Sequence, residues 1–127
     1  MSALAGKRIL VIEDEAMIAG MIEDMLDELG AIVVGPAGTL AKAVELAKRD
    51  PIDVAMLDVN IRSERIDPVV ETLRGRGVPF VLATGYGAAA GMEGALVVEK
   101  PFTRDRLESA LTAALVHSPR GREQGGA

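Results

Sequence analysis

The sequence predicts a doubly wound α/β fold, a five-stranded parallel sheet with helices on both faces. Two observations carry that prediction. Short, wholly apolar runs such as ILVI at 9–12 and VAML at 54–57 suit strands buried on both faces. Between the runs lie segments whose apolar residues recur at helical spacing, and parallel neighbours need such crossovers. The usual five-stranded solution has strand order 2-1-3-4-5, with its ligand crevice at the carboxyl ends of strands one and three.

Each element has its own signal. Residues 9–12 end abruptly in Glu13, Asp14 and Glu15. From Glu15 to Leu29 the residues Ile18, Ile22, Met25 and Leu29 share a helix face, acids stand at its start, and Gly30 supplies a stop. Met17 and Met21 are expected on a packed face of the same helix with Met25. Residues 31–34 read as the second strand. Thr39 caps a helix with Leu40, Ala43, Val44 and Ala47 on one face, ended by Asp50-Pro51. The third strand, 54–57, runs into Asp58. Asp67 is expected as N-cap and Pro68 as first residue of a helix through Arg74. A fourth strand covers 79–83 and a fifth 95–98. Four glycines between 85 and 94 make the fourth helix short or absent. Thr103 caps a last helix carrying Leu107, Ala110, Leu111, Ala114 and Leu115.

With 127 residues, 49% of them apolar, the chain suits one domain, expected over residues 1–117. Residues 118–127, SPRGREQGGA, hold no large apolar side chain and are expected to be a disordered tail. A net charge of −5 argues against nucleic-acid binding. The absence of cysteine removes disulfides and thiolate metal sites. No leader pattern opens the chain and no apolar run approaches a membrane span, so the expectation is a cytoplasmic protein with no membrane partner.

The polar residues that follow the strands gather on one rim: Glu13 and Asp14 after the first, Asp58 at the end of the third, Thr84 after the fourth, Lys100 after the fifth. Three carboxylates packed together repel, and a hard divalent cation among them, with oxygen ligands and retained water, points to magnesium. A phosphoryl group on Asp58 would find complementary partners in Lys100 and the Thr84 hydroxyl. In-line phosphoryl transfer needs chiefly positioning and charge neutralisation, and Asp58, already ionised, is the nucleophile.

In that order, Glu13-Asp14, Asp58, Thr84 and Lys100-Pro101-Phe102 resemble the receiver domains of two-component response regulators, over roughly residues 7–117. The resemblance implies the flavodoxin-like receiver fold and a phosphorylation-driven switch that catalyses phosphotransfer to itself and its own dephosphorylation, rather than a conventional enzyme. It implies that a histidine kinase phosphorylates Asp58, that Asp14, Asp58 and the Asn60 carbonyl ligate Mg2+ with Glu13 acting through water, and that Thr84 and Lys100 read the phosphoryl group. Backbone N–H groups of Asn60 and Gly85 would bind its oxygens, and the Lys100-Pro101 peptide would be cis. Output would pass to a protein effector or to a histidine phosphotransfer protein. Two features depart from the pattern: Val97 stands where many receivers have an aromatic switch residue, and the segment from Thr84 to Lys100 is short. Leu82-Ala83-Thr84-Gly85-Tyr86 resembles the Phe-Ala-Thr-Gly-Tyr subgroup of receivers associated with stress signalling in alphaproteobacteria, with Tyr86 as a substitute aromatic.

Plainer readings exist for each residue alone. Asp14 suits a helix N-terminus, Asp58 and Thr84 suit turns, and Lys100 suits a pair with Glu99. Phe102 is expected to anchor the last helix, His117 to be incidental, and Arg62, Arg65, Arg74 and Arg76 to form a solvated face or a docking surface. A magnesium-dependent aspartyl-phosphate hydrolase is disfavoured by Asn60, because an amide cannot shuttle a proton as the second aspartate of such enzymes does. The other rival is a receiver-like binding module that works without phosphorylation.

Overall fold

The computed structural model describes residues 2–61, 64–84, 96–99 and 102–116. Elements follow in the order β1 (Arg8–Ile12), α1 (Ala16–Glu28), β2 (Ile32–Ala37), α2 (Leu40–Arg49), β3 (Val54–Asp58), β4 (Asn60–Ile61), β5 (Glu64–Arg65), α3 (Asp67–Gly75), β6 (Phe80–Thr84), β7 (Leu96–Glu99) and α4 (Arg104–Val116). Five strands form one sheet in the order β2-β1-β3-β6-β7, every pairing parallel. Counted along the sheet's own strands, this is the expected 2-1-3-4-5. The unforeseen element is the small antiparallel pair β4-β5 directly after Asp58.

The apolar runs of the central strands are continuous because each face of the sheet has its own core, and successive residues point to opposite faces. Ile9 and Val11 of β1, Val54 and Met56 of β3, and Val81 and Ala83 of β6 pack with Ile22 and Leu26 of α1 and Leu107, Leu111 and Ala114 of α4. The intervening Leu10, Ile12, Ala55, Leu57 and Leu82 pack on the other side with Ala43 and Ala47 of α2 and Val69, Val70 and Leu73 of α3. Leu4, fully buried, seals the first of these layers. It sits in an N-terminal turn tied down by the Gly6 N–H donating to the Gly30 carbonyl at 2.8 Å.

Helix ends follow local chemistry. Thr39 Oγ1 accepts the Lys42 N–H and Thr103 Oγ1 accepts the Arg106 N–H, both at 3.2 Å, so the two threonine caps form as expected. After α1, Gly30 takes φ +78°, and the Ala31 N–H reaches the Leu26 carbonyl while the Gly30 N–H reaches that of Asp27, a Schellman closure that repeats at Gly77 after α3.

The structure corrects three details. The N-cap of α3 is Ile66, and Asp67 is the helix's first residue; the Asp67 carboxylate is drawn to Arg65 Nε at 2.9 Å and caps nothing. β2 runs three residues beyond Val34, through the cis Gly35–Pro36 peptide, with a register shift between Leu10 and Ile12. Pro36 is admissible because β2 is an edge strand, where a missing N–H breaks no second ladder. Met17 and Met21 are 80% and 51% exposed, whereas Met25 packs on the core. The inward face of α1 is fixed by Ile18, Ile22, Met25 and Leu29, and residues 17 and 21 stand about 100° around the helix from 18 and 22. Phe102 packs against the core as expected. Among the described residues no helix is long and apolar enough to cross a membrane. Expectations for the fourth helix, Tyr86, the Lys100–Pro101 peptide, His117 and the tail lie outside the described residues.

Candidate functional site

The sheet register decides which polar residues meet. Ile12 of β1 lies level with Leu57 of β3, so the chain turns into Glu13 and Asp14 at the height where β3 ends in Asp58. This is the position at which sheet order reverses, since β1 has β2 on one side and β3 on the other. One carboxylate oxygen from each of Glu13, Asp14 and Asp58 lies within 4.8 Å of the other two. Glu13 is 3% exposed, and the other two are partly buried.

Three ionised carboxylates at this separation repel by about 3 kcal/mol per pair at an effective dielectric constant near 20. Burial of Glu13 withdraws part of the solvent that would screen them. Such a donor set, all oxygen and all anionic, has the chemistry a hard divalent cation requires. It is the one group of three or more such potential ligands found among the described residues.

Backbone contacts hold the loops that carry the acids. The Glu13 N–H donates to the Ala37 carbonyl at 3.0 Å, which ties the β1–α1 loop to the end of β2. The Glu15 N–H donates to Glu13 Oε1 at 3.2 Å. On the other side, the Val59 N–H donates to the Ala83 carbonyl at 3.2 Å, fixing the exit of β3 against β6.

Thr84 ends β6 and is paired by register with Glu99 of β7, one residue beyond the level at which Asp58 faces Ala83. Its backbone therefore stands on the same rim as the acids. Val97 is paired with Leu82, which is fully buried. Asn60 begins the β4-β5 pair, opposite Arg65. Lys100 and Gly85 lie outside the described residues. Of the arginines expected to form a face, Arg65 is exposed and bonded to Asp67, which raises its pKa above the ordinary value first through that hydrogen bond and then through the charge of Asp67. Arg74 lies over the Phe80 ring, 5.7 Å from its centroid, and Arg76 donates to the Ala47 carbonyl. The sequence reading missed the β4-β5 hairpin and the Glu13–Glu15 contact. The hairpin's only sequence signal was the spacing of Asn60 to Arg65, and a two-residue excursion is too short for periodicity to register.

Comparison with known proteins agrees with this fold. Residues 9–112 match the family model of the response regulator receiver domain. The chain is 34% identical over 120 residues to the transcriptional regulatory protein PdtaR of Mycobacterium tuberculosis, covering 89% of this chain and 58% of that protein. It is 32% identical over 114 residues to the phyllosphere-induced regulator PhyR of Methylorubrum extorquens, covering 84% of this chain and 43% of that protein. It thus spans little more than half of the first relative's length and less than half of the second's. Among solved structures, SdrG from Sphingomonas melonis Fr1 superposes with a TM-score of 0.75 at 44% identity, covering 91% of this chain and 100% of that one. SdrG has also been solved in a BeF3-activated conformation, which superposes with a TM-score of 0.72 at 43% identity, covering the same shares of the two chains.

Proposed function

The chain belongs to the response regulator receiver family, and we propose that it works as a phosphorylation-driven switch in which Asp58 accepts a phosphoryl group from a histidine kinase in a magnesium-dependent reaction. The observation that carries this reading is the convergence of the Glu13, Asp14 and Asp58 carboxylates at the sheet's switch point. Asp14, Asp58 and the Asn60 carbonyl would hold Mg2+, with Glu13 acting through a water molecule. The hairpin supports the third ligand. β4 starts at Asn60, two residues beyond Asp58, and its antiparallel pairing with β5 sets Asn60 opposite Arg65 beside the acids' rim.

The ionised Asp58 oxygen forms the new bond to phosphorus as the donor's phosphorus–nitrogen bond breaks. Magnesium, when bound, would offset the charge that gathers between the carboxylate and the phosphoryl group. Lys100 and the Thr84 hydroxyl would take the free phosphoryl oxygens, with backbone N–H groups of Asn60 and Gly85 beside them. Attack of water on phosphorus would release phosphate and restore the carboxylate. The likeness to SdrG, which has been solved in a BeF3-activated conformation, supports a receiver that can be activated. Output would pass by docking to a protein effector or by transfer to a histidine phosphotransfer protein, with neither nucleic acid nor membrane as partner, in the cytoplasm. The domain would be residues 1–117, with 118–127 as a tail.

A second reading, a receiver-like module that binds partners without phosphorylation, is favoured by Val97, which stands at an aromatic position of many relatives. Intact mass separates the two. After incubation with acetyl phosphate, wild type with magnesium is expected to gain one phosphoryl group, and neither Asp58→Asn nor wild type without magnesium is. Absence of the adduct in wild type, checked by rapid quenching, would overturn the switch and leave the binding module.

A further inference from the structure

α1 begins without the device that most helices use. Its N-cap is Glu15, extended at φ −89° and ψ 113°, and the Glu15 side chain caps nothing. Its first turn, Ala16 to Ile18, contains no acid to complement the helix dipole. Two residues before that cap stands Glu13, whose charged side chain is buried, 3% exposed. Oε1 of Glu13 accepts the Glu15 N–H at 3.2 Å, while its own N–H is held by the Ala37 carbonyl at 3.0 Å. Asp14 lies between these two anchors. Its backbone is thus spanned by one residue whose main chain is fastened to β2 and whose side chain is fastened to the start of α1.

We infer that Glu13 is a positioning residue for phosphotransfer: by holding the Glu15 N–H it fixes the loop that presents Asp14 to Asp58, a role separate from its charge. The inference rests on Asp58 being the phosphoacceptor. Charge and positioning separate because they enter different kinetic quantities. Loss of a charge near the metal raises the magnesium concentration that half-saturates the reaction, and saturating magnesium makes up for it. A misplaced Asp14 lowers the plateau rate, because ligands off by a fraction of an ångström hold the reacting atoms poorly even when occupied.

The experiment is the rate of phosphorylation by acetyl phosphate as a function of magnesium in wild type, Glu13→Gln, Glu13→Ala and Glu15→Pro. The glutamine keeps an oxygen that accepts the Glu15 N–H, and its plateau is expected within about threefold of wild type with half-saturation shifted upward. The alanine removes charge and acceptor together, and its plateau is expected at least about tenfold lower. Proline at 15 deletes the donor and leaves the Glu13 carboxylate in place; it is expected to lower the plateau with less shift in half-saturation than either Glu13 variant. In the metal-free protein, hydrogen exchange of the Glu15 amide is expected to be slow in wild type and Glu13→Gln and fast in Glu13→Ala. Equal plateaus for the glutamine and alanine variants, or a wild-type plateau in Glu15→Pro, would overturn the inference. Were wild type to take no phosphoryl group, the phosphoacceptor reading would fail. Amide exchange would then decide the contact alone, with equal exchange in the glutamine and alanine variants refuting it.

Discussion

Replacing Asp14 by asparagine tests the electrostatics of the site without touching Asp58, the proposed phosphoacceptor. One oxygen each of Glu13, Asp14 and Asp58 lies within 4.8 Å of the others, so Asp14 takes part in two of three like-charge pairs. At an effective dielectric constant near 20, a pair at this distance costs about 3 kcal/mol, so the Asp14 share is about 6 kcal/mol before screening. Asp14 and Asp58 are partly open to solvent, and counterions and neighbouring groups offset most of that share. A net gain of about 1–2 kcal/mol is expected in metal-free protein. In urea unfolding, with a slope of about 1–3 kcal/mol per molar for a domain of this size, the midpoint should rise by roughly 0.5–1 M. Magnesium should reverse the order. On the proposed ligand set it would bind the native wild type and stabilise it by mass action, while the variant, short of one ligand, would gain much less. A variant less stable than wild type without metal would refute the repulsion. An equal magnesium gain in both proteins would refute the ligand set.

Two further expectations concern the frame around the site. Leu4→Ala leaves a cavity in the core layer that Leu4 shares with α1 and α4, and should cost about 2–4 kcal/mol, read as a fall in Tm of roughly 7–15 °C. Met56→Ala, at 1% exposure between β1 and β6, should cost about 2–5 kcal/mol in chemical denaturation, whereas Met17→Ala, at 80% exposure, should change stability by less than about 0.5 kcal/mol.

The parts of the fold that the sequence made legible are those in which one physical signal dominates. The apolar runs of β1 and β3 are unmistakable because both faces of the central strands are buried, and Thr39 and Thr103 read as caps because a hydroxyl before a helix has few competing uses. The illegible parts are those in which two signals compete. Asp67 has the chemistry of an N-cap, but Arg65 lies two residues away and claims the carboxylate. Met17 and Met21 share an i, i+4 spacing as regular as that of Ile18 and Ile22, and only the heavier apolar stripe decides which faces the sheet. Leu4 gave no signal, since one leucine in a short turn has no period and its burial depends on α1 and α4, distant in sequence.

The candidate site was legible for a different reason. Its residues are spread over 46 positions between Glu13 and Asp58, and no local pattern joins them. The sheet joins them. In both central strands the alternation of core residues continues to the last apolar position, Ile12 and Leu57, which share one core layer and lie level in register. The next residue in each strand is acidic, so the point at which hydrophobic burial ends is the same on both strands, and it is there that charge accumulates. A sequence reader who locates the end of each apolar run therefore locates the rim without knowing any distance. The same constraint explains why the acids tolerate one another's company. The register that brings them together is set by residues whose burial has nothing to do with them, so core packing helps to hold the three carboxylate oxygens within 4.8 Å of one another.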